Sequence, residues 1–377
     1  MDPAITLLCD LVAANSVNPS LVPGAAGESA AAEVVRHAMT RAGLDVVVQD
    51  VRPGRPNVVG VIEGRGKGPS MMFCGHIDTV GVDGMTDPFV PRLDAGRLYG
   101  RGAQDMKGGV AAMIGAAAEL AKGWTQGRLV VAAVVDEEYE SLGADALVRE
   151  WTADAAIVTE PTDLALAIGH KGFAWLEVVT RGRAAHGSRP REGRDAIARM
   201  GRVLAGLESL DRRLQARPPT GVQGTASLHA SLISGGRELS SYPDRCVLQM
   251  ERRTVSGEDD GRVTAEVQGI LTSLATADPE FEADVRLMTS RPPYAIDASH
   301  RLPQCLSRVL ASRGAPSVPS GMSFWTDAAI LWSAGIPSVL FGPGGAGLHS
   351  TVEYVNVDDV IACRDILVQT TRAFVSS

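Results

Sequence analysis

The stretch SMMFCGHIDTV, residues 70–80, decides the fold. Ser70 to Cys74 form a short strand-like run, apolar after its first residue, that Gly75 and the polar residues after it bring to an end, as a buried strand does. His76 and Asp78 are two residues apart, so an extended backbone carries both on one side at the strand's C-terminal edge. In α/β sheets that edge is where sites are built. The stretch alone admits two readings. His76 binds a metal while Asp78 orients it or a neighbouring ligand, or the segment is a plain turn in which Asp78 bonds local backbone.

Upstream, residues 2–14 read as a helix and Glu28–Ala42 as a second, ended by Gly43, with strands following at Asp45–Val51 and Asn57–Glu63. Downstream, an Ala-rich helix starting near Met106 or Lys107 precedes strand Arg128–Val135, a helix near Leu142–Glu150 and strand Ala155–Thr159. Short apolar strands alternating with helices predict an α/β sheet covered on both faces. The order then changes to strand 173–180, helix 194–216, strands 225–233 and 244–252, helix 258–275 and strand 282–289. That βαββαβ order predicts a ferredoxin-like unit. Beyond Pro293 the α/β pattern resumes with helices 301–312 and 325–334, strand 337–341 and a closing helix from Asp358. Two domains are therefore expected: residues 1–171 and 291–377 form one, and residues 172–290 are inserted in it. A length of 377 residues suits this, because single cores stop growing below that size.

The formal charge of −8 is spread without a basic block, which argues against nucleic acid or an anionic membrane as partner. The most apolar helical run, Val110 to Ala118, is too short for a bilayer, so no membrane segment is expected. Acids stand where a signal peptide needs positive charge in MDPAITLLCDLVAAN, so no export signal is expected. Five cysteines, an odd number lying far apart with no CxxC pair, fit a reducing cytoplasm.

Four further stretches carry candidate chemistry. In YGRGAQDMKGG (99–109), Asp105 lies among glycines that permit close backbone approaches. It suits either a bridge between two cations or a cap on the following helix. The segment lacks the GxxxxGK[ST] spacing of a phosphate loop. VVAAVVDEEYE (130–140) ends an apolar strand in Asp136, Glu137, Glu138 and Glu140, acids that repel one another unless solvent or cations compensate them. Adjacent residues at a strand end point to different sides, so one glutamate can ligate while its neighbour moves a proton; a solvated strand end is the other reading. Glu160 follows the next strand in AAIVTEPT (155–162), with Pro161 restricting its backbone, a pattern that plain turns share. GPGGAGLHSTVEYV (342–355) supplies His349, with Glu353 four residues on as a partner for it, although an ordinary surface-loop histidine reads the same. GPGGAG also matches GxGxxG, but LHSTVEY does not open a crossover helix, which sets a dinucleotide site aside.

The succession GHIDTV, GRGAQDMKGG, DEE, TEPT and GLHSTVEYV resembles the M20 metallopeptidase family of acetylornithine deacetylases, succinyl-diaminopimelate desuccinylases, aminoacylases and carboxypeptidase G2-like enzymes, over nearly the whole chain. The resemblance implies a zinc-peptidase-like α/β catalytic domain whose inserted ferredoxin-like unit, residues 172–290, is a lid and dimerisation domain. It implies two divalent metal ions per subunit, zinc or else cobalt or manganese. His76, Asp105 and Glu160 would hold one; Asp105, Glu138 and His349 would hold the other. Glu137 is then the general base, acting on a water that bridges the metals, with Asp78 behind the ligands. In GRAAHGSRP (182–190), His186 matches a histidine that reaches the active site of the opposite subunit and stabilises the oxyanion, so a homodimer is implied.

In SSYPDRCVLQMERRT (240–254), Arg253 stands ten residues after Pro243 and matches an arginine that binds the substrate carboxylate; Arg252 is the lesser candidate. A planar guanidinium suits a carboxylate because it donates two parallel hydrogen bonds. Substrate contacts fall also to Gly344 in the glycine-rich loop and to Ser240. Family members often carry Asn where this chain has Ser240, so no named substrate transfers. The resulting reading is a dinuclear metal-dependent hydrolase that cleaves the amide bond of an N-acyl amino acid. The alternative is a di- or tripeptidase, or a carboxypeptidase, of the same family. A binding protein without catalysis would have lost the base or a ligand, and every proposed position is filled.

Overall fold

Four apolar runs pair parallel to one another in the middle of a sheet: Arg128–Val134, Met71–His76, Ala155–Val158 and Ser338–Leu340. They are buried almost residue for residue, as a parallel sheet covered on both faces requires. The computed structural model describes residues 1–376. Antiparallel strands Arg55–Glu63 and Asp45–Arg52 extend the sheet beyond Arg128–Val134, and Ala167–His170 pairs beyond Ser338–Leu340. The first helices run Pro3–Ala13, with Asp2 capping the Ala4 N–H, and Ser29–Arg41.

The chain divides into two compact units. The first comprises residues 1–168, 296–320 and 326 onward; the second comprises 169–295 with 321–325. In the first, helix Gly108–Ala121 packs against Val357–Val375 and Pro3–Ala13. It starts later than the sequence suggests, because a π-turn occupies Ala103–Lys107 ahead of it. Gly109 lets this helix start touch the end of a central strand. A Cβ there would stand 1.9 Å from the Thr159 carbonyl oxygen, one residue before Glu160. A small separate sheet, in the order Gly345–Ala346, Tyr354–Asn356, Arg97–Tyr99 and Arg92–Asp94, joins the loop before Asp105 to the segment around His349.

In the second unit, four antiparallel strands lie in the order Ser227–Gly235, Arg245–Thr254, Gly172–Arg181 and Glu282–Arg291. With helices Ala196–Gln215 and Asp260–Ala277 the chain order is strand, helix, strand, strand, helix, strand. Strand Gly172–Arg181 alternates buried and open residues. Its Ala174, Leu176 and Val178 meet Met200, Val203, Leu207, Val263 and Val267 of the helices in one apolar core. Asp195 and Asp259 cap the two helices. Among the described residues, no helix is long and apolar enough to cross a membrane.

Candidate active site

Every candidate residue of the first unit lies where the chain leaves the carboxyl end of a central parallel strand, or beside the small sheet. His76 ends strand Met71–His76 and is 1 % exposed. Its Nδ1 faces the Asp78 carbonyl oxygen at 3.0 Å, which turns Nε2 toward the Asp105 carboxylate at 3.2 Å. An Nδ1–H held by a carbonyl leaves Nε2 as the ligating atom. The Asp78 carboxylate is 3.5 Å from that Nδ1. Its own hydrogen bonds come from the backbone N–H groups of Glu137 and Glu138, at 3.1 and 3.2 Å, and from Asn18 Nδ2, at 2.8 Å. Asp78 therefore organises the backbone under two glutamates as well as facing the imidazole.

Two sets of ligand atoms converge. One atom each from His76, Asp105 and Glu160 lie within 4.8 Å of one another, and so do one atom each from Asp105, Glu138 and His349. Asp105 belongs to both sets. His349 Nε2 is 3.3 Å from Asp105 Oδ2 and 3.1 Å from Glu138 Oε2. Glu137 Oε2 is 3.9 Å from His76 Nε2. Glu138 Oε1 is buried without a hydrogen-bond partner among the described residues, a costly state for a carboxylate oxygen unless a cation takes it. This donor set of imidazoles and carboxylates fits a pair of divalent ions such as zinc, cobalt or manganese.

The electrostatics agree with that fit. Burial raises Glu137 and Glu160 well above the usual carboxylate range; His76 opposes the rise, and Asp327 with the neighbouring acids adds to it. Burial and the charge of Asp105 push Glu138 up to about 7, against its hydrogen bond with His349. Burial would raise Asp105 too, but hydrogen bonds from His349 and His76 hold it below the usual range. Hydrogen bonds to Asp105 and Glu138 raise His349 to about 10. For His76, burial works downward and is outweighed by Asp105, Asp78 and Glu137, so the imidazole stays well above its usual value. Metal-free, the site draws in protons where cations would supply the same positive charge.

Two residues play parts the sequence did not reveal. Glu353 is a partner of the Asp105 loop in place of His349: its carboxylate accepts from Arg101 Nη1 at 2.7 Å and from the N–H groups of Gly102, Gln104 and Asp105 at 3.0, 2.9 and 3.1 Å. Asp327, 2 % exposed, adds negative charge beside Glu137 and Glu160. Its signal was hidden because FWTDAAI reads as helix interior, whereas the helix begins only at Ala328. Gly344 is buried, and a Cβ there would stand 2.6 Å from Asp163 Oδ1.

In the second unit His186 is exposed, with Nδ1 2.8 Å from Ser188 Oγ. The Gly187 N–H donates to the Ser240 carbonyl at 2.6 Å, so the loops of His186 and Ser240 are joined. Arg253 is half-buried, 2.7 Å from Glu251 Oε1 and 5.8 Å from the centre of the Phe173 ring. Arg252, 1 % exposed, is spent on Glu258 and Glu266 at 2.8 and 3.3 Å.

The profile of peptidase family M20/M25/M40 matches residues 72–373. The chain belongs to this family. As an M20 member it is a metal-binding hydrolase of amide bonds. It is 32 % identical over 341 residues to acetylornithine deacetylase of Myxococcus xanthus, covering 87 % of this chain and 86 % of that one. To the N-formyl-4-amino-5-aminomethyl-2-methylpyrimidine deformylase of Bacillus subtilis it is 29 % identical over 361 residues, covering 86 % and 84 %. The crystal structure of aminopeptidase PepT from Bacillus cereus shares the fold, with a TM-score of 0.81 at 19 % identity over 99 % of this chain and 98 % of that one.

Proposed function

We propose that this M20 hydrolase is an N-acyl-amino-acid deacylase with a dinuclear metal site and Glu137 as its general base. The observation that carries the reading is the convergence of two ligand sets on Asp105 with Glu137 beside them. Similarity to a deacetylase, deformylases and a desuccinylase favours an acyl amide over a peptide. His76, Asp105 and Glu160 would hold one ion and Asp105, Glu138 and His349 the other. When bound, such ions supply Lewis acidity that acidifies the attacking water and polarises the amide carbonyl. Glu137 takes the proton of that water and returns it to the departing amine. Its position suits this, because Glu137 belongs to neither ligand set yet its Oε2 lies 3.9 Å from His76 Nε2, beside both. Asp78 keeps the backbone of Glu137 and Glu138 in place.

The second unit is assigned the role of lid and dimerisation domain, with His186 as oxyanion donor to a partner protomer and Arg253 as the anchor of the substrate carboxylate. Ser240 and Gly344 line the substrate. Five free thiols suit a reducing cytoplasm. The test is a panel of acetyl, formyl and succinyl amino acids beside unblocked dipeptides, on zinc-, cobalt- and manganese-loaded enzyme with chelated protein as control. Turnover of dipeptides alone would make the chain a peptidase. Glu137→Gln should lower turnover by about 10²- to 10⁴-fold while both ions stay bound; hydrolysis near the wild-type rate removes Glu137 from the role.

A further inference from the structure

Asp136, the first acid of the DEE run, belongs to neither ligand set. It is fully buried and has a left-handed φ of 70°, a conformation that a non-glycine residue keeps only where its surroundings hold it. Its Oδ1 accepts from Arg55 Nη2 at 2.8 Å and from Asn18 Nδ2 at 3.1 Å. Its Oδ2 accepts from the Glu140 and Leu142 N–H groups at 3.3 and 3.4 Å. Arg55 is clamped in turn: Nε donates to both Glu28 oxygens at 3.1 and 2.8 Å, Nη2 also reaches Glu28, and Nη1 donates to Ser20 Oγ at 2.9 Å. Asn18 spends its two amide hydrogens on two acids, one on Asp136 and one on Asp78 Oδ2 at 2.8 Å. Glu28, Arg55, Asp136, Asn18 and Asp78 thus form a buried chain that ends on the N–H groups of Glu137 and Glu138.

The residue types suit this task. A neutral carboxamide lies between two carboxylates and donates to both; an aspartate there would crowd three acids, and a methyl would leave two buried oxygens short of a donor. A guanidinium fork holds acids from two different elements, which a lysine ammonium does with less direction. We infer that Asn18 and Arg55 are positioning residues of the hydrolytic site: through Asp136 and Asp78 they fix the backbone N–H groups that aim Glu137 and Glu138. The inference rests on Glu137 being the base.

Asn18→Ala and Arg55→Lys are compared with wild type and Glu137→Gln, as cobalt-loaded enzyme on the acyl-amino-acid panel and by hydrogen exchange of the metal-free protein. Both variants should lose about tenfold to a hundredfold in kcat, the size found when groups behind metal ligands are removed. KM should hold within about twofold, because the lost interaction serves the transition state. Amide exchange should rise in peptides covering 136–142 and keep its wild-type rate in strand 128–134. Wild-type kcat, or exchange that rises throughout the first unit or nowhere in it, overturns the positioning role. Wild-type turnover by Glu137→Gln overturns the base instead, so the two failures are distinguishable. Where Asn18→Ala yields no folded protein, Arg55→Lys, which keeps the buried charge, decides by the same readouts.

Discussion

The two units treat charge differently. The first buries many charged side chains, among them Glu28, Asp78, Asp136, Glu160, Glu353, Arg55, Arg101 and Lys107, and keeps other pairs such as Arg36 with Glu33 and Lys122 with Glu119 at its surface. The second keeps an apolar core and sets most of its ion pairs at the surface, as in Arg181 with Glu282 and Asp284, Arg194 with Glu280 and Arg237 with Asp244; its buried exception is Arg252 with Glu258. Taking a charge out of water costs several kcal/mol even after relaxation. The first unit bears that cost around the ligand sets, where fixed direction matters. The second folds on apolar area, and its exposed pairs add little.

The strongest way to break this contrast is at the carboxylate shared by both ligand sets. Asp105→Asn should drop metal content per chain, measured by elemental analysis, well below that of wild type. Turnover should fall on the order of a thousandfold or more, since loss of metal catalysis removes several kcal/mol of transition-state stabilisation. Unchanged metal content would mean that the two sets do not work as one site.

A sharper test uses the buried imidazole of the second unit, His170, whose Nδ1 faces the Lys171 carbonyl at 2.9 Å. Burial lowers it from 6.5 to about 4, and Arg253 adds to the effect. The folded state keeps it neutral while the unfolded chain takes up a proton below 6.5. Its contribution to stability is therefore whole above 6.5 and is lost as pH falls from 6.5 toward 4, by roughly 3 kcal/mol in all. His170→Phe, which keeps a ring beside Tyr294 and Trp325, should lose less stability than wild type between about pH 7 and 4.5 in urea titrations. Equal losses would show that His170 does not set the slope. The smallest effect belongs to the exposed pair Arg194–Glu280: Arg194→Ala should change unfolding stability by less than about 1 kcal/mol.

What the sequence disclosed follows the same division. His76 ends a short apolar strand, and Glu137, Glu138 and Glu160 follow two others by two to four residues, so the apolar runs marked them as strand-end candidates. For Asp105 and His349 the glycine-rich context left a helix cap and a surface-loop histidine open, only the family resemblance proposed them as ligands, and nothing local showed why they meet. They are joined by strands such as Arg97–Tyr99 and Tyr354–Asn356, each only three residues long and too short to carry a period. Strand Ala167–His170 was missed because its run AIGH is apolar only in its first two residues and contains a glycine. Asp136 announced that three successive acids need compensation, yet its cation, Arg55, lies 81 positions upstream at a strand start that reads as turn. Partners brought together by tertiary folding leave no local pattern.

The small sheet that joins residues 97–99 to 354–356 also sets a clock. His349 follows Glu160 by 189 positions, with the second unit's sequence lying between them. At about 5 to 20 residues per second, the ribosome delivers it roughly 10 to 40 s later. For that interval the nascent chain displays His76, Asp105 and Glu160 while Asp105 still lacks both His349 and the Glu353 carboxylate that holds its loop. The two proposed ligand sets can therefore be complete only after the segment carrying His349 and Glu353 has emerged and paired with residues 97–99.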